Sequence, residues 1–259
     1  MPETPLRHWP SGVLPSGKAP RLLRSLPGGR SNASYLVEAD GALWVLRINA
    51  AHPLPGVDRI REARVLEAAV SAGLAPEVLH CNPESGVLIS HYLDGRHWQA
   101  GDLEDKGRRN RLLKLIQGVS RLALVPPPLD YREHINHYLV QIEDRHIQLP
   151  QEIRRTQARL IGLLESPAMD PASLVMTHHD LTPENIIEYN GRLFLLDWEY
   201  AATGPAAMDL AVLAREWRLE PEVLAGLRGV DTLAIKSALA LYDHMCSLWR
   251  LLNLAAEDP

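Results

Sequence analysis

The sequence predicts an α+β chain in two parts, a small strand-rich N-terminal lobe over residues 1–93 and a larger helical C-terminal lobe over residues 94–259. Three observations carry that division. Before position 93 the apolar residues fall in short runs of strand length, two of them joined by Asp40-Gly41, a hairpin turn signal. Beyond it they recur at helical spacing over long segments. A second ribbon, Ile186 to Tyr189 and Leu193 to Leu196 around Asn190-Gly191, interrupts those helices. With 259 residues and 46% hydrophobic content, the chain can bury a substantial core as one large domain or two lobes.

Met1 to Pro20 is broken by Pro5, Pro10 and Pro15 and lacks an apolar core segment, so no export signal is expected and the stretch reads as a linker. Tyr35 to Glu38 and Leu43 to Ile48 read as strands, with Gly28-Gly29, Ser31 and Asn32 forming a glycine loop just ahead of them. Paired glycines let backbone amides approach phosphate oxygens closely, although a plain turn is the other reading. In the second strand, alternation buries Val45 and its apolar neighbours and leaves Arg47 as one cation pointing into a cleft. Asp58 to Ala72 has helical spacing in Ile60, Ala63, Leu66 and Val70, with Gly73 as its stop. Glu62 in its first turn is the natural ion partner of Arg47, the alternative being two unrelated surface charges. Val87 to Ile89 is a further strand, and Ser90 to Gly95 leads out of it as the hinge between the lobes.

Asp102 to Leu124, Tyr131 to His146 and Pro150 to Glu165 read as helices, the first two separated by the Val125-Pro126-Pro127-Pro128 break. Arg108, Arg109, Arg111 and Lys114 cluster, but Glu104 and Asp105 beside them mark ordinary solvated surface. Thr232 to Ala256 is the most apolar helix, and Lys236, Asp243, His244 and Arg250 interrupt it, so no membrane span is expected. A formal net charge of -5 does not suggest a nucleic-acid partner. Cys81 and Cys246 form neither a metal or redox motif nor a disulfide framework, and a reducing cytoplasm is the default location.

The most informative stretch is Thr177-His178-His179-Asp180-Leu181-Thr182-Pro183-Glu184-Asn185, followed by Asp197 in Leu195-Leu196-Asp197-Trp198-Glu199. Phosphoryl transfer needs a carboxylate to orient the attacking hydroxyl and oxygen ligands for magnesium. His-x-Asp-x-x-x-x-Asn followed by a strand-borne Asp supplies all of these at the spacing protein kinases use. Asp180 then reads as the base, Asn185 and Asp197 as metal ligands, and ATP and Mg2+ as the implied cofactors. Backbone groups around Ser90 and Tyr92 in the hinge would meet the adenine. Zinc is the other reading of His178-His179-Asp180, but adjacent residues rarely converge on one tetrahedral ion and no thiol is near.

With these residues in place, the chain resembles the aminoglycoside phosphotransferase and choline kinase superfamily, whose fold is protein-kinase-like. The resemblance runs from the loop at Gly28 to Gly204-Pro205-Ala206-Ala207-Met208-Asp209-Leu210-Ala211. Gly28-Gly29-x-Ser31-Asn32-x-x-Tyr35, Arg47 in place of Lys, and Asp197-Trp198-Glu199-Tyr200-Ala201 resemble the choline, ethanolamine and thiamine kinase branch more than the antibiotic-modifying one. The resemblance implies Asp180 as base, Asn185 and Asp197 on magnesium, Arg47 on the nucleotide phosphates with Glu62 as its partner, and Glu199 on metal-bound water. It implies a structural role for Asp209, tying the catalytic loop to a helix. Gly204-Pro205-Ala206-Ala207 departs from the pattern in lacking an acidic residue that many relatives carry there.

A quaternary ammonium acceptor demands aromatic faces and a nearby carboxylate. Tyr242 and Trp249 share one face of the last helix with Met245 and Leu248 between them, and Glu216-Trp217 ends the preceding helix. The resemblance places Glu216 and Trp249 near a choline pocket, with Cys246 where an aromatic residue is expected; core packing accounts for the same stripe equally well. The leading expectation is an ATP-dependent kinase acting on a small cationic metabolite, choline first and thiamine second. An aminoglycoside or sugar kinase with Glu216, Glu220, Glu222, Asp231 and Asp243 as an acidic rim is an alternative, and a nucleotide-binding pseudokinase is another.

Overall fold

The computed structural model describes residues 5–14, 17–27, 32–50, 55–164 and 174–254. A five-stranded antiparallel sheet opens the fold, built from β1 (Arg21–Ser25), β2 (Asn32–Ala39), β3 (Ala42–Asn49), β4 (Val78–Asn82) and β5 (Val87–His91) in the order β1-β2-β3-β5-β4. Asp40 and Gly41 both take positive φ, 50° and 76°, the two-residue turn whose twist matches the flanking strands and pairs Ala39 with Ala42. One face of the sheet buries Val37, Trp44, Leu46, Val87 and Ile89 with Leu14. Helix α1 (Arg59–Ser71) contributes Val65, Leu66 and Ala69 to the main core, which Leu88 of β5 joins. Asp58 caps α1 by accepting from the amides of Ile60 (2.9 Å) and Arg61 (3.0 Å).

The rest is helical around two small ribbons. After β6 (Arg96–His97) come α2 (Lys106–Ser120), α3 (Tyr131–Asp144), α4 (Gln151–Leu164), β7 (Leu174–Thr177), β8 (Ile186–Tyr189), β9 (Arg192–Leu195), β10 (Ala202–Pro205), α5 (Ala206–Glu216), α6 (Pro221–Arg228) and α7 (Thr232–Leu254). The strands pair as β6-β8-β9 and β10-β7. Helix α7 packs against α3, α4, α5 and α6 and so forms the axis of this part. The architecture is the α+β, protein-kinase-like one that the sequence predicts, a sheet-rich N-terminal region followed by a helical C-terminal region. No helix among the described residues is long and apolar enough to cross a membrane.

Some details differ from expectation. The helix expected over Asp102 to Leu124 divides into a 3-10 turn (Ala100–Glu104) and α2, because Asp105 accepts from the Arg108 amide at 2.7 Å and restarts the helix as its cap. On β3 the alternation is real, but Trp44 and Leu46 are the residues it buries; Val45 is half-buried and takes the opposite phase with Arg47. The basic residues of α2 are surface, as expected, and two of them pair: Arg108 with Asp102 and Arg111 with Glu188.

Candidate active site

The loop that follows β7 is held from beneath. The backbone amides of His178 (3.1 Å to each oxygen) and His179 (2.9 Å) donate to the Asp209 carboxylate, which lies in the first turn of α5, where the helix dipole favours an anion. The Trp217 indole donates to the Leu181 carbonyl at 2.6 Å. His179 adopts φ 65°, and its imidazole is fixed by Tyr131 Oη (2.6 Å) and Thr177 Oγ1 (3.0 Å). The His178 ring packs edge-on against Trp198, with centroids 4.7 Å apart. Burial pushes both imidazoles down, His178 to about 4 and His179 to about 3, so both are neutral supports of the loop. Asp209→Ala leaves the His178 and His179 amides without an acceptor in a sealed interior, at about 1–3 kcal/mol per stranded group. A lowered melting temperature together with reduced turnover is the expected result, and calorimetry beside kinetics checks it.

That support presents Asp180. The Asn185 side-chain amide donates to its Oδ2 at 2.7 Å and to its carbonyl at 3.0 Å, which fixes the carboxylate and leaves Asn185 Oδ1 available to a cation. Burial raises the Asp180 carboxyl to about 6, with Glu199, Glu216 and Glu184 adding and the Asn185 hydrogen bond opposing. Asp197 leaves β9 with φ 56° and shares this region. Burial raises it to about 7, Glu199 and Asp180 adding and Arg47 opposing. Two part-buried carboxylates with an amide oxygen beside them form a hard oxygen donor set suited to magnesium. No group of three or more His, Cys, Asp or Glu among the described residues could hold a metal ion through protein ligands alone. Magnesium at nucleotide sites commonly uses one or two carboxylates and completes its shell with phosphates and water.

Arg47 and Glu62 meet as an ion pair, both buried, and the second arm of Arg47 reaches Asp197 at 3.2 Å. Burial works against the Arg47 charge, yet Glu62 and then Asp197 raise its pKa above the usual arginine value. Sequence reasoning missed the next partner, Arg59. Its guanidinium reaches Glu62 at 2.7 Å, Glu199 at 3.0 Å and Asn32 at 3.0 Å, while the Asn32 amide donates to Glu199 at 2.8 Å. Glu199 is therefore held by two residues of the N-terminal region. The i,i+3 spacing of Arg59 and Glu62 was the one local signal available.

Gly28, Gly29 and Ser31 lie outside the described residues; Asn32 begins β2. Ser90 pairs with Val45 and Val78 in the sheet, and the Tyr92 amide donates to the Leu43 carbonyl at 2.9 Å. Asp180, Asn185, Asp197 and Glu199 open into a cavity of about 360 Å3 whose further wall includes Tyr138, Tyr200, Tyr242, Met245 and Trp249. Tyr242 and Trp249 thus line the cavity while also packing on the main core. Glu216 is not part of that wall: it accepts from Tyr242 Oη at 3.2 Å, one residue removed from the cavity. Leu248 turns wholly into the core, and Cys246 takes the cavity side instead. Tyr138 was missed, since the α3 series Tyr131, Ile135, Tyr138 and Ile142 is spaced as core, and Tyr200 was read only as part of the motif after Asp197.

The geometry agrees with what comparison with known proteins finds. A LicA protein of Haemophilus influenzae is 24% identical over 197 residues, which is 75% of this chain and 58% of that protein, so this chain spans less than two thirds of that relative's length. A thiamine kinase of Salmonella gallinarum is 29% identical over 188 residues, 71% of this chain and 63% of that protein. Among solved structures, the choline kinase LicA of Streptococcus pneumoniae superposes with a TM-score of 0.77 at 22% identity, covering 92% of this chain and 88% of that one. The aminoglycoside phosphotransferase APH(4)-Ia, solved with AMP-PNP and hygromycin B, superposes with a TM-score of 0.64 at 19% identity, covering 93% and 88%. The phosphotransferase enzyme family model matches residues 23–240, and the chain belongs to that family.

Proposed function

We propose that the chain is an ATP-dependent, magnesium-requiring kinase that phosphorylates the hydroxyl of a small cationic metabolite, choline-like first and thiamine second. The observation that carries this reading is that Asp180 and Asp197 open into the same cavity as Tyr138, Tyr200, Tyr242 and Trp249. Residues 1–93 are the nucleotide lobe in this reading, with Gly28, Gly29, Ser31 and Asn32 over the phosphates and Ser90 and Tyr92 at the adenine. Arg47, oriented by Glu62, lies where it can neutralise phosphate charge. Asp180 accepts a hydrogen bond from the attacking hydroxyl and takes its proton as the new bond forms. Asn185 and Asp197 would hold magnesium, whose charge, when bound, offsets that on the phosphates. The aromatic faces hold the acceptor cation with its hydroxyl toward Asp180, each good contact contributing about 0.5–2 kcal/mol.

The acidic rim that an aminoglycoside kinase needs is weakened by pairing: Asp243 is bound by Arg215, and Glu222 by Lys236 at 2.6 Å. A pseudokinase reading has to account for Asp180, Asn185 and Asp197 standing together around one cavity. Coupled ATP turnover against choline, ethanolamine, thiamine, kanamycin and simple sugars tests the proposal. Turnover confined to kanamycin or sugars removes the cationic metabolite, and none at all favours the pseudokinase. Trp249→Ala is expected to raise the acceptor Michaelis constant about tenfold, the upper range of one lost cation–π contact, with the ATP constant little changed. An unmoved acceptor constant with a lowered melting temperature would assign Trp249 to the core alone.

A further inference from the structure

His134 on α3 lines the same cavity, and among the described residues no side-chain hydrogen bond accounts for it. The side chain is 94% buried, being only 6% exposed, and its Nδ1 has no partner. His179, on the same wall, has both ring nitrogens engaged by Tyr131 and Thr177. One edge of the His134 ring is sealed by Gly56 of the N-terminal region, where a Cβ would stand 2.0 Å from Cε1 and 2.1 Å from Nδ1; no side chain fits, and the backbone there has φ 77°. The same point is 3.1 Å from Nε2, so Nδ1 is the more tightly closed nitrogen and Nε2 is the one His134 can offer the cavity. Burial pushes its pKa down to about 4, with His137 and Arg61 adding, so the ring is neutral. In the tautomer proposed below, Nε2 carries the proton, which leaves the Nδ1 lone pair against Gly56. The ring is positioned by Tyr138 and Tyr200, at centroid distances of 5.1 and 6.4 Å.

We propose that His134 Nε2 donates a hydrogen bond to the acceptor molecule, so that the cavity favours a cationic alcohol that also carries a hydrogen-bond-accepting heteroatom over one whose cation is fully methylated. The inference rests on the kinase reading above and refines it, putting a thiamine-like acceptor ahead of choline. Choline fits the aromatic wall but offers His134 nothing beyond its reacting hydroxyl; the pyrimidine nitrogens of thiamine, or the hydroxyls of an aminoglycoside, would meet it. A site built to donate discriminates strongly against ligands that leave its donor unpaired.

The test compares the parent with His134→Phe, which keeps a flat ring and removes the N–H, and His134→Gln, which returns an amide donor. Initial rates with ATP are measured for choline, thiamine and kanamycin, beside the ATP Michaelis constant and a melting curve. The expected result is that His134→Phe lowers kcat/KM for thiamine relative to choline about tenfold, the loss of one hydrogen bond, with the ATP constant and melting temperature near the parent's and the ratio recovered in His134→Gln. An unchanged ratio, a fall shared equally by both acceptors, or a loss of melting temperature alone makes His134 a packing residue and overturns the inference. Parent turnover of choline alone, with thiamine and kanamycin inert, overturns it too while the proposed function stands. Turnover of kanamycin alone, its Michaelis constant raised by His134→Phe, upholds the role of His134 while the cationic-metabolite reading falls.

Discussion

Asp180→Asn is expected to lower turnover by about 100-fold or more, in the range a positioned base contributes, while ATP affinity and melting temperature stay near the parent values. The fold has little reason to notice. Asn185 donates to Asp180 Oδ2 and to its carbonyl, and an amide oxygen accepts the same bond. The carboxyl is raised to about 6 by burial, so the base form fills as pH rises through that value and turnover falls as pH drops below it. The sign for stability is opposite to that of an ion-paired carboxylate. A carboxyl whose folded pKa is raised binds its proton more tightly in the folded chain, so stability falls as pH climbs from the unfolded value of about 4 to about 6, and the Asn variant escapes that cost, which is full above 6. Near-normal turnover in the variant, or an acid limb identical in both proteins, removes Asp180 from the chemistry.

Asp197→Asn is expected to abolish the tightening of ATP binding by magnesium and to lower turnover by more than about 100-fold, as loss of a preorganised charge at the reacting phosphate does. Asparagine is the cleaner replacement because Asp197 sits at φ 56°, a conformation that Asn tolerates and alanine does not share as readily. The variant also removes one of the two carboxylates on Arg47, so nucleotide binding without metal should strengthen slightly as that arginine is freed for phosphate. Titration of ATP with and without magnesium separates the two effects. If magnesium tightened ATP binding as much as in the parent, Asp197 would not be a ligand.

The convergence of Asp180, Asn185 and Asp197 on one place was legible because the contacts involved are local. Asp180 and Asn185 lie five residues apart and touch, and the β8–β9 turn at Asn190-Gly191 sets Asp197 beside them by a short path. Arg47 and Glu62 were readable for a similar reason, since a strand and the helix after it leave few ways for a buried cation and an acid to pair. What stayed hidden depends on distance along the chain. Arg59 reaches Glu199 across 140 residues and Asn32 reaches it across 167, and neither contact leaves a periodicity to detect. Tyr138 and His134 are spaced as core because they are core; only the convergence of α3 and α7 on the Asp180 loop makes them a cavity wall. Glu216 shows the reverse error: its place at the end of α5 was read correctly, and Tyr242 stands between it and the cavity. Edge strand β1, whose Arg-Leu-Leu-Arg-Ser has no alternation, and β10, made of small residues and proline, carry too weak a pattern to be seen.

The three-way junction of Asn32, Arg59 and Glu199 fixes how the molecule can flex. It ties the start of β2 and the start of α1 to the segment just past Asp197, and Glu199 is almost fully enclosed. Parting such a contact strands a buried charge at about 3–5 kcal/mol, and salt screens enclosed pairs weakly, so ionic strength gives little relief. Breaking that junction is therefore expected to cost more than turning about it, so any rotation of the sheet region against the helical region should leave the segment around Glu199 nearly in place, and hydrogen exchange should find the amides near Asn32 and Glu199 among the slowest of the site.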